Sequence, residues 1–218
     1  MMLESSAKEL LAQVVAMAAL TPRVDSRLAR RVVPPLRTPT ARQHPYASGP
    51  TPPKLSARRR TLFCDLDGVL ADFDAGVLRV TGKLPRAMSL PEMWRELGND
   101  KTDGGFFASL PWMEQGPALW REVEQYDPVI LTGKPRGSWA KQQKLQWCEA
   151  KLGVPPSRVI VCEPHEKARF AHSGDVLIDD SAEKYQKAWE ARGGVFIHHT
   201  GETDVRKTIA LLRSTLEP

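Results

Sequence analysis

The apolar run that starts at Thr61 ends in Asp65-Leu66-Asp67-Gly68, two carboxylates one residue apart before a glycine. If the run stays extended through Asp67, alternation sends both acids to one side, and Gly68 lets the backbone turn sharply after them. Carboxylates this close repel unless a cation lies between them, and a hard divalent ion with oxygen ligands, most naturally Mg²⁺, fits. A second acidic pair, Asp179-Asp180, follows another apolar run, Asp175–Ile178. Taken alone, Asp-x-Asp-Gly is also the composition of an ordinary turn. The second pair weighs against the turn, because gathering four acids without a metal or a function is costly.

Two further pieces lie between the pairs. Leu131-Thr132-Gly133-Lys134 closes a third apolar run. There a hydroxyl on Thr132 and free backbone N–H groups around Gly133 suit a phosphate, and a threonine capping a loop is the plainer alternative. Lys167 stands in the next connection. A lysine reaching the carboxylates would offset their charge and hold a phosphoryl oxygen. By itself, beside Glu166 and Arg169, it reads as a solvated surface lysine.

Parallel strands alternating with helices would bring these pieces together. Short apolar runs stand at Thr61–Asp65, Pro128–Leu131, Arg158–Cys162, Asp175–Ile178 and Val195–His198. Helical stretches lie between them: one from Ser138 through Lys151 closed by Gly153, one from Ser181 to Gly193-Gly194, and a last one over Thr203–Leu212. Such interleaving means an α/β fold with a parallel sheet. In that architecture ligands bind beyond the carboxyl ends of the strands, where the acids fall. The interval Asp72 to Gln125 is too long for a simple crossover. It contains a helix over Ser89–Leu97 with Ser89 and Glu92 at capping-box spacing. It also carries Phe73, Trp94, Phe106, Phe107, Trp112 and Trp120, so it reads as a small helical insertion. Trp94 and Trp120 are expected in the insertion's own core, and Phe73, directly after the acidic motif, in a substrate pocket.

The chain has 218 residues and a formal charge of +5, but the charge is unevenly divided. Residues 1–60 hold eleven Lys/Arg and three Asp/Glu, whereas residues 61–218 hold twenty and twenty-three. The basic character belongs to the N-terminal segment, and the mildly acidic remainder weighs against a broad nucleic-acid-binding face. Seven prolines between Pro34 and Pro53 point to an extended or disordered segment. Residues 1–60 fit a transit segment to mitochondrion or plastid in their arginine content. Glu4 and Glu9 count against that, and a plain disordered tail with a cytoplasmic protein is the other reading. No apolar stretch reaches the roughly 18–20 residues of a membrane span. Three widely spaced cysteines offer neither a disulfide framework nor a zinc pattern.

Asp65 to Leu70, Thr132, Lys167 and Gly174-Asp175-Val176-Leu177-Ile178-Asp179-Asp180, in that order, resemble the four motifs of the haloacid dehalogenase superfamily of phosphatases. Asp65 through Phe73, Phe106 to Pro111 and Asp175 to Asp180 are similar to its 5′(3′)-deoxyribonucleotidase branch. The chain reads Thr132-Gly133 where that branch often has Thr-Ser. The resemblance covers about residues 61–200. It implies a Rossmannoid three-layer sandwich over residues 61–218, with a parallel sheet and a small helical cap inserted at about 72–125. It implies Mg²⁺ as cofactor and a small phosphorylated substrate, a nucleoside monophosphate first, with homodimerisation left open. By that resemblance Asp65 is the nucleophile and Asp67 the general acid and base. Thr132, Gly133 and Lys167 bind the phosphate, and Phe73 and Phe107 line the substrate pocket. Asp65, Asp67 through its carbonyl, and Asp179 or Asp180 hold the metal. Other phosphorylated substrates and a catalytically silent binding module are the alternatives.

Overall fold

The computed structural model describes residues 58–100, 102 and 104–217. The expectations about the N-terminal tail and its targeting fall almost wholly outside them.

Five strands form one all-parallel sheet: β1 (Leu62–Cys64), β2 (Val129–Gly133), β3 (Val159–Cys162), β4 (Val176–Asp179) and β5 (Val195–His198). Their order across the sheet is β3-β2-β1-β4-β5. Each is a short run rich in Val, Ile, Leu or Phe, the pattern of strands covered on both faces. Alternate residues supply two separate cores. Leu62, Cys64, Ile130, Val176, Ile178 and Ile197 face one layer, and Phe63, Leu131, Leu177 and Phe196 face the other. The molecule is therefore a helix–sheet–helix sandwich.

Among the described residues six helices accompany the sheet: α1 (Phe73–Thr81), α2 (Leu90–Gly98), α3 (Gly116–Val123), α4 (Trp139–Trp147), α5 (Ala182–Glu190) and α6 (Val205–Leu216). The first core receives Val77, Met93, Leu97, Leu119, Val123, Trp147 and Leu212 from α1, α2, α3, α4 and α6. The second receives Trp189 and Tyr185 from α5, with Trp189 edge-on to Phe63 at 5.3 Å. Between β1 and β2 the chain runs through α1, α2, a 3₁₀ turn at Phe107–Ser109, and α3. Asp72 caps α1 by accepting from the Ala75 N–H at 2.9 Å. Ser89 accepts from the Glu92 N–H at 3.4 Å, but the Glu92 carboxylate turns to Lys83, so only half of the capping box forms.

Sequence-derived boundaries shift at several places, and the last helix, expected over Thr203–Leu212, runs from Val205 to Leu216. The helix expected from Ser138 to Lys151 is α4 followed by a wider π turn at Cys148–Leu152, closed by Gly153 at φ 67°. The side chains of Ser138 and Ser181, which precede α4 and α5, accept no N-terminal N–H. β2 runs on to Gly133 because Ile130 through Gly133 all pair with β3.

Register sets the site. Cys64 pairs with Ile130 on one side and Ile178 on the other, so Asp65 leaves the sheet level with Leu131 and Asp179. The Asp65 N–H donates to the Ile178 carbonyl at 2.9 Å. At the opposite end of β4, buried Asp175 accepts the Thr61 and His172 N–H groups and pairs with Arg58, which ties the start of β1 to β4. No helix among the described residues is long and apolar enough to cross a membrane.

Candidate active site

A cavity of about 920 Å³ opens beyond the carboxyl ends of β1, β2 and β4. Asp65 and Asp67 both reach its wall, and Gly68 between them and Asp72 has a left-handed φ of 78°. A side chain there would also collide with Asp180, since a Cβ on Gly68 would lie 2.6 Å from Asp180 Oδ2. The glycine thus makes the turn and admits the acid from β4.

Lys167 is buried in the 3₁₀ segment Pro164–Phe170 and aims its ammonium at Asp65 Oδ2 (2.8 Å) and Asp179 Oδ2 (2.7 Å). It also lies 4.6 Å from the Tyr185 ring centre. Burial works against its charge, but the Asp65 and Asp179 carboxylates outweigh that and hold its pKa well above the ordinary lysine range. The surface-lysine alternative is thereby excluded.

Asp65, Asp179 and Asp180 each bring a carboxylate oxygen within 4.8 Å of the others. The two β4 acids are differently engaged. Asp179 is fully buried, with Oδ2 on Lys167 and Oδ1 accepting the Ser181 N–H at 2.9 Å. Asp180 is half-buried, lines the cavity, and accepts only a long 3.3 Å bond from the Ser181 hydroxyl at Oδ1. Burial, then the nearby Asp65 charge, pushes Asp179 up to about 7 and Asp180 up to about 6, against the opposing pull of Lys167.

A second buried lysine, which sequence reasoning missed, holds the other acid. Lys144 of α4 bonds Asp67 Oδ2 and, at 2.9 Å, Thr132 Oγ1. Burial raises the Asp67 pKa and Lys144 draws it back down. The signal was present: Ala140, Lys144, Trp147 and Cys148 make the buried stripe of α4 and its π turn, so a lysine sits at a core position of a helix.

The predicted residues divide accordingly. Asp65, Asp67, Gly133, Lys167, Phe73, Phe107 and Asp180 line the cavity, and Asp179 lies just behind it. Thr132 does not reach the wall. As an in-ladder residue of β2 it shares a face with Ile130, is buried under α4, and accepts a hydrogen bond from Lys144 at its hydroxyl. The Asp67 carboxylate likewise lies outside the metal-sized cluster, turned to Lys144, which leaves only its carbonyl to serve a cation. Trp94, expected in the insertion's core, packs half-buried against that core and also lines the cavity, 5.8 Å from Phe73, while Trp120 is buried in the core.

Mg²⁺ fits these residues. Within the cluster, Asp65 Oδ1 is buried without a hydrogen-bond partner. The three clustered acids face one buried ammonium, Lys167, and every donor they offer is an oxygen, the ligand set a hard divalent cation takes.

No protein-family model matches the chain, and no curated protein matches it. Among solved structures it resembles a haloacid dehalogenase-like hydrolase from Burkholderia xenovorans LB400 at 15% identity and a TM-score of 0.38, over 64% of this chain and 82% of that one. So distant a likeness adds nothing to the chemistry, which rests on the geometry above.

Proposed function

We propose that this chain is a Mg²⁺-dependent phosphatase of the haloacid dehalogenase type that hydrolyses small phosphomonoesters, nucleoside monophosphates first, through an aspartyl-phosphate on Asp65. The observation that carries it is Asp65 at the end of β1, gripped by Lys167 at 2.8 Å and grouped with Asp179 and Asp180 at a cavity mouth.

Asp65 attacks phosphorus in line with the leaving oxygen. The bond to that oxygen breaks, and Asp67 gives it a proton. Asp67, now a carboxylate, takes a proton from the water that opens the acyl phosphate, releasing inorganic phosphate and free Asp65. Lys167 holds Asp65 in place and offers positive charge to the equatorial oxygens. Asp65 and Asp180 are the carboxylates open to Mg²⁺, and the bound ion would neutralise and orient the phosphoryl group. Asp179 keeps Lys167 in position.

The segment at 72–125 serves as the cap. Its Phe73, Trp94 and Phe107 line the cavity, an aromatic surface suited to stacking a base. The cavity volume of about 920 Å³ lies near the upper end of the roughly 300–1,000 Å³ usual for small-molecule sites, which favours a nucleotide over a phosphosugar.

The test is phosphate release with Mg²⁺ from a panel of nucleoside monophosphates and sugar phosphates. Turnover is expected on at least one nucleotide and not with Asp65→Asn, its fold checked by circular dichroism. Equal activity in Asp65→Asn would sink the reading of Asp65, and preference for sugar phosphates would sink the substrate class.

A further inference from the structure

Lys144 takes no part in the steps above, yet its placement is costly and specific. Removing an ammonium from water is tolerable only where fixed polar groups replace the lost hydration. The Lys144 side chain is 0% exposed. Its Nζ has three partners from three parts of the fold: Asp67 on the loop after β1, Thr132 in β2, and the face of Phe107, whose ring centre is 4.3 Å away. The neighbouring residues of α4 pin the same segment. Gln143 accepts the Phe107 N–H at 2.9 Å, and Trp147 donates to the Leu110 carbonyl at 2.9 Å. Lys144 is absent from the cavity wall, so a substrate meets Asp67 and Phe107 rather than the lysine.

We propose that Lys144 is a positioning residue: by binding Asp67 Oδ2 it holds the carboxyl of this cavity-lining acid in one orientation and ties it to the Phe107 wall. This rests on the phosphatase reading. The proton leaves the carboxyl so held for the leaving oxygen as the phosphorus–oxygen bond breaks and the Asp65–phosphorus bond forms. It returns to the carboxyl from water in the second step. Without Lys144 the carboxyl is free to rotate, and the acid is misaligned although still present.

The prediction is a loss that depends on the leaving group. A dinitrophenolate departs without a proton, whereas a nucleoside alkoxide needs one. The quantity to measure is kcat/KM, which reports formation of the phosphorylated enzyme. Lys144→Met is expected to lose about 100-fold on a nucleoside monophosphate and no more than about threefold on 2,4-dinitrophenyl phosphate. Asp67→Asn should give the same pattern, and the double variant should lose no more than Asp67→Asn alone. Equal losses on both esters, or additive losses in the double variant, would overturn the proposal. Should thermal unfolding show Lys144→Met unfolded, Lys144→Gln, which keeps a donor, carries the comparison with a smaller loss expected, about 10-fold on the nucleoside monophosphate and none on the dinitrophenyl ester. A wild-type enzyme silent on both esters would refute the phosphatase reading and the proposal with it. An active wild type with a uniformly impaired Lys144 variant refutes the proposal alone.

Discussion

Asp179 and Asp180 stand side by side after β4 but face different partners. Asp179 has both oxygens engaged by Lys167 and the Ser181 N–H, whereas Asp180 is free to turn to the cavity. Replacing them should therefore do different things. Asp180→Asn should weaken Mg²⁺ binding by about 10-fold or more in calorimetric titration, with little change in unfolding free energy. Asp179→Ala should destabilise by about 3 kcal/mol in chemical denaturation, because it breaks a buried ion pair around Lys167. The sequence reveals the acids because they end apolar runs, but it is silent on which of the two is engaged. That depends on register, which aligns Asp179 with Asp65 in the plane of the sheet and leaves Asp180 one step beyond. Lys144 went unread because Lys141, Gln142 and Gln143 around it mask its place on the buried stripe.

The five strands are legible as Val- and Ile-rich runs, and all five begin within one residue of where composition puts them. The exception in consequence is β2: its end, two residues further on, keeps Thr132 in the ladder and sends its hydroxyl under α4 instead of into the cavity. The segment between β1 and β2 is legible only as helical and aromatic. Which aromatics also reach the cavity is decided by how α1 and α2 pack, and Trp94, packed on the core as composition predicts, reaches the cavity as well. Two connections carry sharp expectations. Gly68→Ala forces a side chain into a left-handed turn and into Asp180, so it should destabilise by about 1–2 kcal/mol and also reduce turnover. Asp175→Asn removes charge from a carboxylate that ties Arg58, Thr61 and His172 together at the far end of β4. It should lower the denaturation midpoint, by about 1–3 kcal/mol in stability, while leaving KM unchanged.

The molecule as a whole gathers its carboxylates at one mouth, and its stability should register this. Asp179 and Asp180 titrate near 7 and 6 in the fold but near the ordinary carboxylate value when unfolded. Between about pH 4 and pH 7 the native state binds more protons than the unfolded chain, so metal-free stability falls as pH rises through this window. Mg²⁺ competes with those protons. The melting temperature without metal should therefore be higher at pH 5.5 than at pH 8, and added Mg²⁺ should raise it more at pH 8. A metal-free protein more stable at pH 8, or a Mg²⁺ effect larger at pH 5.5, would contradict the burial of these acids beside Asp65.

The central claim is that Asp65 carries the phosphoryl group. The most direct measurement is to quench the enzyme in acid during turnover of an excess of its best substrate and map the phosphorylated peptide by mass spectrometry. A phosphoryl group on Asp65 is the predicted result. Rapid turnover with no phosphorylated enzyme, or with the group on another residue, would contradict it.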